Sequence, residues 1–495
     1  MENPIIVAGL VVFLGISLTI GLYVSKWVRG KSENYIVAGR GLVLPLATGA
    51  LMAQAIDGNA TLGNTDLTYQ FGFWAGASLP IGLALCLVLT GLFFAEPLHK
   101  MKLLTLPDFY LKKYGTVTEK IASFIMVLSF AILLAGNLAA CGFIAQSFLG
   151  MSYTTGVMVL ALMIFSYTVA GGLISSAFTD IFQALVALLG AVAGLTFVIW
   201  KFGFHLPEGT GPLDMAQLTD FSTGAGVNWA TLLALGLGDI VAIDFMERIF
   251  AAGSPRIAKQ ACYLGGLGTL LIGIPYSLIA LIPNIKVDVA AEPFLFALIH
   301  QHLPTLISIL ILSSIAAASM STANGAILAT STVLAHNVLS VGQEIKGQEE
   351  DRKLLWVSRT LAIPVTLFGI LFAIYMPAPG VLLVLAFDLV FAGALAPLVF
   401  GLYWKKANAA AALTSLIGGT LIRLITFSLT PTCYGMPNKI LFIPNHTFLS
   451  TINPTTGVAI WEGFPTILAP LVSVALFVAV ASLTEEVSLR ESLES

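Results

Sequence analysis

Charged side chains are scarce in this sequence. Lys, Arg, Asp and Glu together make up 10% of the 495 residues, whereas hydrophobic residues make up 57%. A soluble globular domain carries about 25% charged residues, so this deficit excludes a soluble protein of this length. The sequence therefore predicts an integral membrane protein with little mass outside the lipid bilayer.

Cysteine and histidine are also rare, with four and six residues. Cys86, Cys141 and Cys262 fall in apolar segments and Cys433 falls in a loop, which argues against a disulfide framework. The histidines lie at segment ends or in loops, without the spacing of a two-histidine zinc helix. With no ion-filter motif and no basic patch for nucleic acid, a membrane-embedded enzyme, a channel and a sodium-linked sensor are minor alternatives to a transporter.

Apolar runs fill the rest of the chain. Thirteen of them reach about 20 residues, the length at which an apolar helix crosses a bilayer. They cover residues 4–25, 43–66, 71–96, 118–148, 154–174, 176–200, 226–250, 258–283, 303–337, 354–376, 379–404, 407–428 and 463–484. The first run lacks a basic n-region and a cleavage site, so we expect it to remain in the protein.

The distribution of Lys and Arg orients these spans. If the N-terminus is outside, fifteen basic residues fall in cytoplasmic connections and three fall outside, the latter being Lys201, Lys286 and Lys439. The cytoplasmic set includes Lys346. This positive-inside bias predicts a multi-pass cell-membrane protein with an outside N-terminus and a cytoplasmic C-terminus.

The spans also predict an internal repeat. Residues 43–200 and 226–404 each contain five spans, each set opens with a span that carries acids at its middle, and each has an overlong third span. Five is an odd number, so the second set is inverted, as in secondary transporters. The remaining parts are 1–42 (an extra helix and a cytoplasmic loop), 201–225 (an extracellular loop) and 405–495 (two helices and a short tail).

Acidic residues inside spans mark the candidate site. Asp57 lies in an apolar run, where a carboxylate needs a cavity, a cation or a partner. Gly58 and Asn59, next to it, are weak helix formers and favour unwinding there, which would free backbone carbonyls. A structural alternative is that Asp57 caps a broken helix or pairs with Arg248. Asp239 lies between glycine-rich turns in the seventh span.

The stretch 313–337 is crowded with small and hydroxyl side chains. Ala318, Ser321, Thr322 and Gly325 share one helical face. Small residues permit close approach of a second helix, and oxygen ligands suit a hard cation such as sodium. Ordinary small-residue packing is the alternative.

Several motifs resemble those of the sodium/solute symporter family. They are Gly171-Gly-(x)6-Thr179-Asp180-(x)2-Gln183, Ala317-Ala-Ser-Met-Ser-Thr322, Pro107-Asp-Phe-(x)3-Lys-Tyr-Gly115, Arg40 and Arg248. The resemblance covers nearly the whole chain. It implies a leucine-transporter-type fold, a 5+5 inverted repeat with one extra N-terminal helix, and sodium-driven uptake by alternating access.

The same resemblance implies a sodium site. Its ligands would be the carbonyl oxygens of Ala55, Gly58 and Ala318 and the hydroxyls of Ser321 and Thr322. Asp180 would lie close to this site, although Thr179 and Asp180 also suit a plain helix cap.

The choline-transporter branch of that family is the most similar one, for instance at Ile56-Asp-Gly58 and Asp388-Leu-Val390. Ala55 and Ala242 stand where that branch has tryptophans, so the aromatic cage for a quaternary ammonium is missing. The polar residues that remain for solute binding are Gln54, Asp57, Asn59, Asn137 and Asp239. We expect a small amine, zwitterion or amide as the solute, with a choline-like cation as a further option.

Overall fold

The computed structural model describes residues 3–282, 287–289, 292–343, 347–433, 435–454 and 458–494, without the side chains of Asn59 and of residues 485–494. Lys286 and Lys346, which contributed to the predicted orientation, lie outside the described residues.

The described chain is almost entirely helical. Its first half contains α1 (Pro4–Val24), α2 (Ser32–Val37), α3 (Leu44–Ala55), α4 (Asn64–Phe71), α5 (Phe73–Leu89), α6 (Ala95–Lys100), α7 (Pro107–Tyr114), α8 (Thr116–Phe148), α9 (Tyr153–Phe202) and α10 (Ala216–Thr219). Its second half contains α11 (Ala225–Leu233), α12 (Ile243–Ala251), α13 (Pro255–Leu281), α14 (Phe294–His302), α15 (Thr305–Val333), α16 (Gln348–Tyr375), α17 (Pro379–Gly393), α18 (Leu395–Tyr403), α19 (Ala409–Ser428) and α20 (Phe464–Glu494). A short antiparallel pair, β1 (Thr432–Cys433) and β2 (Met436–Pro437), places Thr432 opposite Pro437.

The predicted count of thirteen membrane-spanning helices is confirmed only in part. Among the described residues, nine helices are long and apolar enough to cross a membrane, or up to eleven if each of two bent pairs is one span. The pairs are Ala225–Val241 with Ile243–Ala251, bent by 49°, and Pro379–Gly393 with Leu395–Tyr403, bent by 43°. Two further predicted spans lie in the interrupted α3–α4 segment and in the second half of α9, so a total of thirteen stays a prediction.

Helix α9 contains the double glycine that was expected to separate two spans, and its backbone breaks there. Its 50 residues continue through Gly172, where the backbone takes φ 51° and ψ −138°. This left-handed φ favours glycine, and a Cβ there would lie 2.3 Å from the carbonyl oxygen of Tyr35. A straight helix of this length would span about 75 Å, more than twice the hydrocarbon core, and the kink at Gly172 divides it into two parts that are each long enough to cross.

Helix α15 occupies the centre of the molecule. It packs mainly against α8, α9, α16 and α1, and every residue from Ile311 to Val333 is buried. A helix that is buried on all sides belongs to the core of a bundle.

Hydrogen bonds fix α15 at both ends. At its start, the Asn3 amide donates to Thr305 Oγ1 over 3.1 Å. Just after its end, Asn337 Nδ2 donates to Asp108 Oδ1 and to Glu119 Oε1, each over 2.8 Å. The helix is therefore tied to neighbouring elements at both of its ends.

Candidate functional site

The predicted break in the first repeat is confirmed. Helix α3 ends at Ala55, and Ile56 is extended with φ −99° and ψ 106°. The chain resumes helical form in a π-helical turn over Asn59–Gly63 and continues into α4. Asp57 Oδ1 accepts a 2.7 Å hydrogen bond from the Ala60 N–H, so its carboxylate caps the restarted helix. The interruption leaves carbonyl groups near Ala55 without regular helical partners, as an ion site requires.

The hydroxyls of α15 face this break. Ser321 Oγ lies 2.8 Å from the carbonyl oxygen of Ala53 and 2.9 Å from that of Ala318. Thr322 Oγ1 lies 3.4 Å from the carbonyl oxygen of Gln54 and 3.3 Å from that of Ala318. The structure thus brings the predicted ligands Ala318, Ser321 and Thr322 to the end of α3, in surroundings of oxygen atoms that suit a hard cation.

Close packing between the two helices depends on residues with little or no side chain. A Cβ on Gly58 would lie 2.1 Å from Ser319 Oγ and 2.8 Å from Ala140 Cβ. A Cβ on Gly325 would lie 2.2 Å from Gln54 Oε1. Small-residue packing and an oxygen-lined site therefore occur together along the same face of α15.

Two polar residues predicted to bind the solute hold this interface together. Gln54 Nε2 donates to the carbonyl oxygen of Ser321 over 2.6 Å. Asn137 Oδ1 accepts from the Gly58 N–H over 3.3 Å, and its Nδ2 donates to Leu133 O over 3.1 Å. Both side chains therefore support the broken segment. The side chain of Asn59 lies outside the described residues.

Asp180 belongs to a buried ion pair beside this interface. Arg248 Nη2 lies 3.1 Å from Asp180 Oδ2 and donates to Ser176 Oγ over 2.7 Å, and both charged side chains are fully buried. Thr179 bonds the carbonyl oxygens of Ser175 and Ser176 within its own helix, so the helix-cap reading of Thr179 and Asp180 is wrong. The sequence did not indicate this pair, because its partners are 68 residues apart.

Asp239 lies at a second break. Ala242 is extended between the turn Asp239–Val241 and α12, with φ −67° and ψ 119°. Asp239 is fully buried, and neither carboxylate oxygen has a hydrogen-bond partner among the described residues. It lies within electrostatic range of Asp57, Asp244 and Cys86. An unpaired carboxylate in the membrane interior is costly, so Asp239 is a strong candidate for ligand contact.

A central helix rich in oxygen atoms and facing a broken helix, with a second broken helix in the other half, defines a secondary transporter. The profile described as "Sodium:solute symporter family" matches residues 35–419. The chain belongs to the sodium:solute symporter family, as its motifs predicted.

Curated relatives of this chain are transporters and not enzymes. The human high affinity choline transporter 1 is 25% identical over 451 residues, which cover 84% of this chain and 75% of the relative. Sodium/proline symporter 2 of Staphylococcus saprophyticus is 26% identical over 438 residues, covering 84% of each chain.

Solved structures show the same fold. A Na+-coupled sialic acid symporter in a substrate-bound outward-open state has a TM-score of 0.76 at 16% identity and covers 97% of each chain. MhsT in complex with L-phenylalanine has a TM-score of 0.51 at 12% identity and covers 88% of this chain and 98% of its own. The fold is of the leucine-transporter type, as predicted, and together with the family it indicates sodium-coupled symport.

Proposed function

We propose that this protein imports a small organic solute by alternating access, using the sodium gradient. The observation that carries the proposal is the contact between the Ser321 and Thr322 hydroxyls and the carbonyl-bearing end of α3. In the proposed site the carbonyl oxygens of Ala55, Gly58 and Ala318 complete the coordination of one sodium ion.

Coupling follows from the position of this site between two elements. A ligand shifts a conformational equilibrium only through its different affinities for the two states. Sodium bound between α3 and α15 favours the state in which these helices are in contact. That contact orders the segment around Asp57 and so shapes the solute pocket. Asp180 acts beside the ion through its pair with Arg248.

The solute class follows from the polar groups near the two breaks. Asp239 offers two carboxylate oxygens without hydrogen-bond partners among the described residues. Ala55 and Ala242, both buried, occupy the positions at which the choline-transporter branch carries tryptophans. We infer an amine, a zwitterion or an amide that contacts Asp57, Asp239 and Asn59, with a choline-like cation as a further option. In this arrangement Gln54 and Asn137 position the broken segment.

We further propose that the chain crosses the membrane with the number of spans and the orientation that the sequence predicted. Thirteen spans place the N-terminus outside and the C-terminus in the cytoplasm of a cell membrane. The breaks near Ala55 and at Ala242 each interrupt the first long helix of the proposed repeats 43–200 and 226–404, which supports the inverted arrangement.

A sodium-dependent stability screen of the purified full-length chain tests this function. Choline, betaines, amino acids, urea, polyamines and small carboxylates are added in sodium or in potassium buffer, and the unfolding temperature is measured. We expect one solute class to raise it only in sodium, and uptake of that class into proteoliposomes to require an inward sodium gradient. Equal uptake with a potassium gradient would rule out sodium coupling.

A further inference from the structure

A second cavity lies beside α4 and α11, which each form one half of a broken helix, and its lining contains none of the residues of the proposed sodium and solute sites. It has a volume of about 280 Å³, is partly open, and is lined by α4, the start of α5, the connection before α11, α11 itself, Gly435 and the segment before α20. Its apolar wall includes Leu67, Phe71, Phe221, Val227 and Ile460. Among the described residues that line it, Glu462 is the one charged side chain.

Gln217 supplies a hydrogen-bond donor at this cavity. Its side chain is only 3% exposed, and its Oε1 accepts from the Trp74 N–H over 3.1 Å. Its Nε2 has no partner among the described residues. The Asn228 amide donates to the Gln217 carbonyl oxygen over 2.8 Å and so fixes the backbone. A buried donor without a partner costs free energy, which a ligand with an acceptor atom would recover.

Glu462 supplies a hydrogen-bond acceptor and a carboxylate at the same cavity. It is 8% exposed, its Oε2 accepts from Thr432 Oγ1 over 2.6 Å, and its Oε1 accepts from the Gly435 N–H over 2.9 Å. Each oxygen keeps acceptor capacity, because a carboxylate offers about four lone-pair sites. Burial raises the pKa of Glu462 to about 7, while these two hydrogen bonds act in the opposite direction.

No Lys or Arg of the described chain forms an ion pair with Glu462. Arg423, whose charge also acts on Cys433, pairs with Asp388 at 2.5 Å. The carboxylate of Glu462 therefore has local hydrogen bonds but no balancing positive charge at the cavity.

We propose that this cavity is a second ligand site, for an organic ammonium ion with an apolar body and one acceptor atom. The ammonium group pairs with Glu462, the acceptor receives the Gln217 Nε2–H, and the apolar body lies against Phe71 and Phe221. Cation–π contact with such rings adds to the attraction. The site goes beyond the proposed transport function, since none of its residues belongs to the sodium or solute site.

Calorimetric titration of the purified full-length chain tests this site. The probe is 2-phenoxyethylamine, which carries an ammonium group, an ether oxygen and an apolar ring, and 2-phenoxyethanol is its uncharged counterpart. We expect the amine to bind at least tenfold more tightly than the alcohol. Glu462→Gln should weaken amine binding about tenfold or more, because a charge-assisted contact is lost. Gln217→Leu should weaken it about threefold.

Asp214→Asn is the matched control. Asp214 is an acidic residue that lies, like Gln217, on the connection before α11, but its side chain does not line the cavity. This variant should leave the affinity unchanged. Equal binding of amine and alcohol, or unchanged amine binding in Glu462→Gln, would overturn the proposal.

The pH dependence of the wild-type chain gives a second readout that needs no variant. The ammonium of the probe stays charged near neutral pH, whereas Glu462 loses its negative charge as the pH falls through about 7. Amine affinity should therefore fall as the pH is lowered from about 8 to about 6. A flat profile would contradict the proposal.

Replacing sodium by potassium separates this site from the transport site. Binding at the second cavity should be the same in both buffers. Sodium-dependent binding would assign the amine to the central site and overturn the second one. A chain that shows no sodium-driven uptake of any solute could still bind the amine here, so the two proposals fail independently.

Discussion

At Ser321, the side-chain oxygen lies within 2.9 Å of the carbonyl oxygens of Ala53, Ala317 and Ala318. The single hydroxyl proton of Ser321 can form one good hydrogen bond, to one of these three carbonyl oxygens. The other carbonyl oxygens therefore keep lone pairs that a cation could use. A cation placed among them would use the carbonyls and the hydroxyl together. The same reasoning applies to Thr322. Its hydroxyl oxygen lies farther, 3.4 and 3.3 Å, from the carbonyl oxygens of Gln54 and Ala318, which leaves more space for a cation between them.

Ser321→Ala and Thr322→Ala should each raise the sodium concentration for half-maximal uptake by about fivefold, because loss of one oxygen ligand costs about 1 kcal/mol. Uptake by proteoliposomes over a sodium series measures this. Ser331→Ala is the control, since its hydroxyl bonds Leu328 O on the same helix. Unchanged sodium dependence in both variants would refute the site.

Arg248 connects several elements beside the proposed sodium site. Its guanidinium reaches Asp180, Ser176 and the carbonyl oxygen of Asp244. It links α9 to α12 beside the interface of α3 and α15. Removing one partner of a buried pair leaves an uncompensated charge, which costs about 3–5 kcal/mol.

Arg248→Met should therefore lower the unfolding temperature strongly, as measured in detergent. The double variant Asp180→Asn/Arg248→Met should be more stable than Arg248→Met alone, because it removes the stranded carboxylate. If the double variant were less stable than both Asp180→Asn and Arg248→Met, the ion pair would not be the main contribution of these two side chains to stability.

At the scale of elements, the sequence predicted the break next to Asp57 and its contact with the Ser321 and Thr322 face, but not the side chains that brace it. Gly58 and Asn59 are weak helix formers, and this local property is readable along the chain. Asn137 accepts a hydrogen bond from the Gly58 N–H, and Arg248 pairs with Asp180 from another helix, and neither contact was predicted. Such contacts depend on how helices are placed in space, which no local pattern encodes.

Gly58→Ala tests the close approach of the broken segment to α15. The new Cβ would lie 2.1 Å from Ser319 Oγ, so the segment must move away and sodium-driven uptake should fall at least tenfold. Overpacking of this kind also costs about 1–3 kcal/mol of stability. Gly15→Ala is the control, since its Cβ would meet nothing within 4 Å. Normal uptake by Gly58→Ala would contradict the packing argument.

At the scale of the whole molecule, hydropathy predicted thirteen spans, of which the described residues show nine to eleven as long apolar helices. A helix that unwinds at its middle gives two pieces that are each too short to cross, as α3 and α4 show. The length of an apolar run does not reveal this interruption, because the run 43–66 is long enough to cross a membrane although the helix ends at Ala55. The fold class was nevertheless predicted correctly, since the overall pattern of long apolar runs survives the interruptions.

Site-directed labelling tests the proposed orientation. All four native cysteines are free and buried, so the wild-type chain should react little with a membrane-impermeant maleimide. Thr219→Cys, at an exposed position before α11, should be labelled in intact cells. Lys353→Cys, near the start of α16, should be labelled only after permeabilisation. The reverse pattern would place the N-terminus in the cytoplasm.

The attachment of α15 at both ends has a mechanical consequence. A helix tied to α1 through Thr305 and to α7 and α8 through Asn337 resists sliding and tilting. The movement that alternating access requires then falls to the interrupted segments. In the proposed site, the stationary helix carries the ligands Ala318, Ser321 and Thr322, and the moving segment carries the others. In the proposed site, separation of these two surfaces would open the coordination shell of the ion, so the same movement that parts α3 from α15 would release sodium.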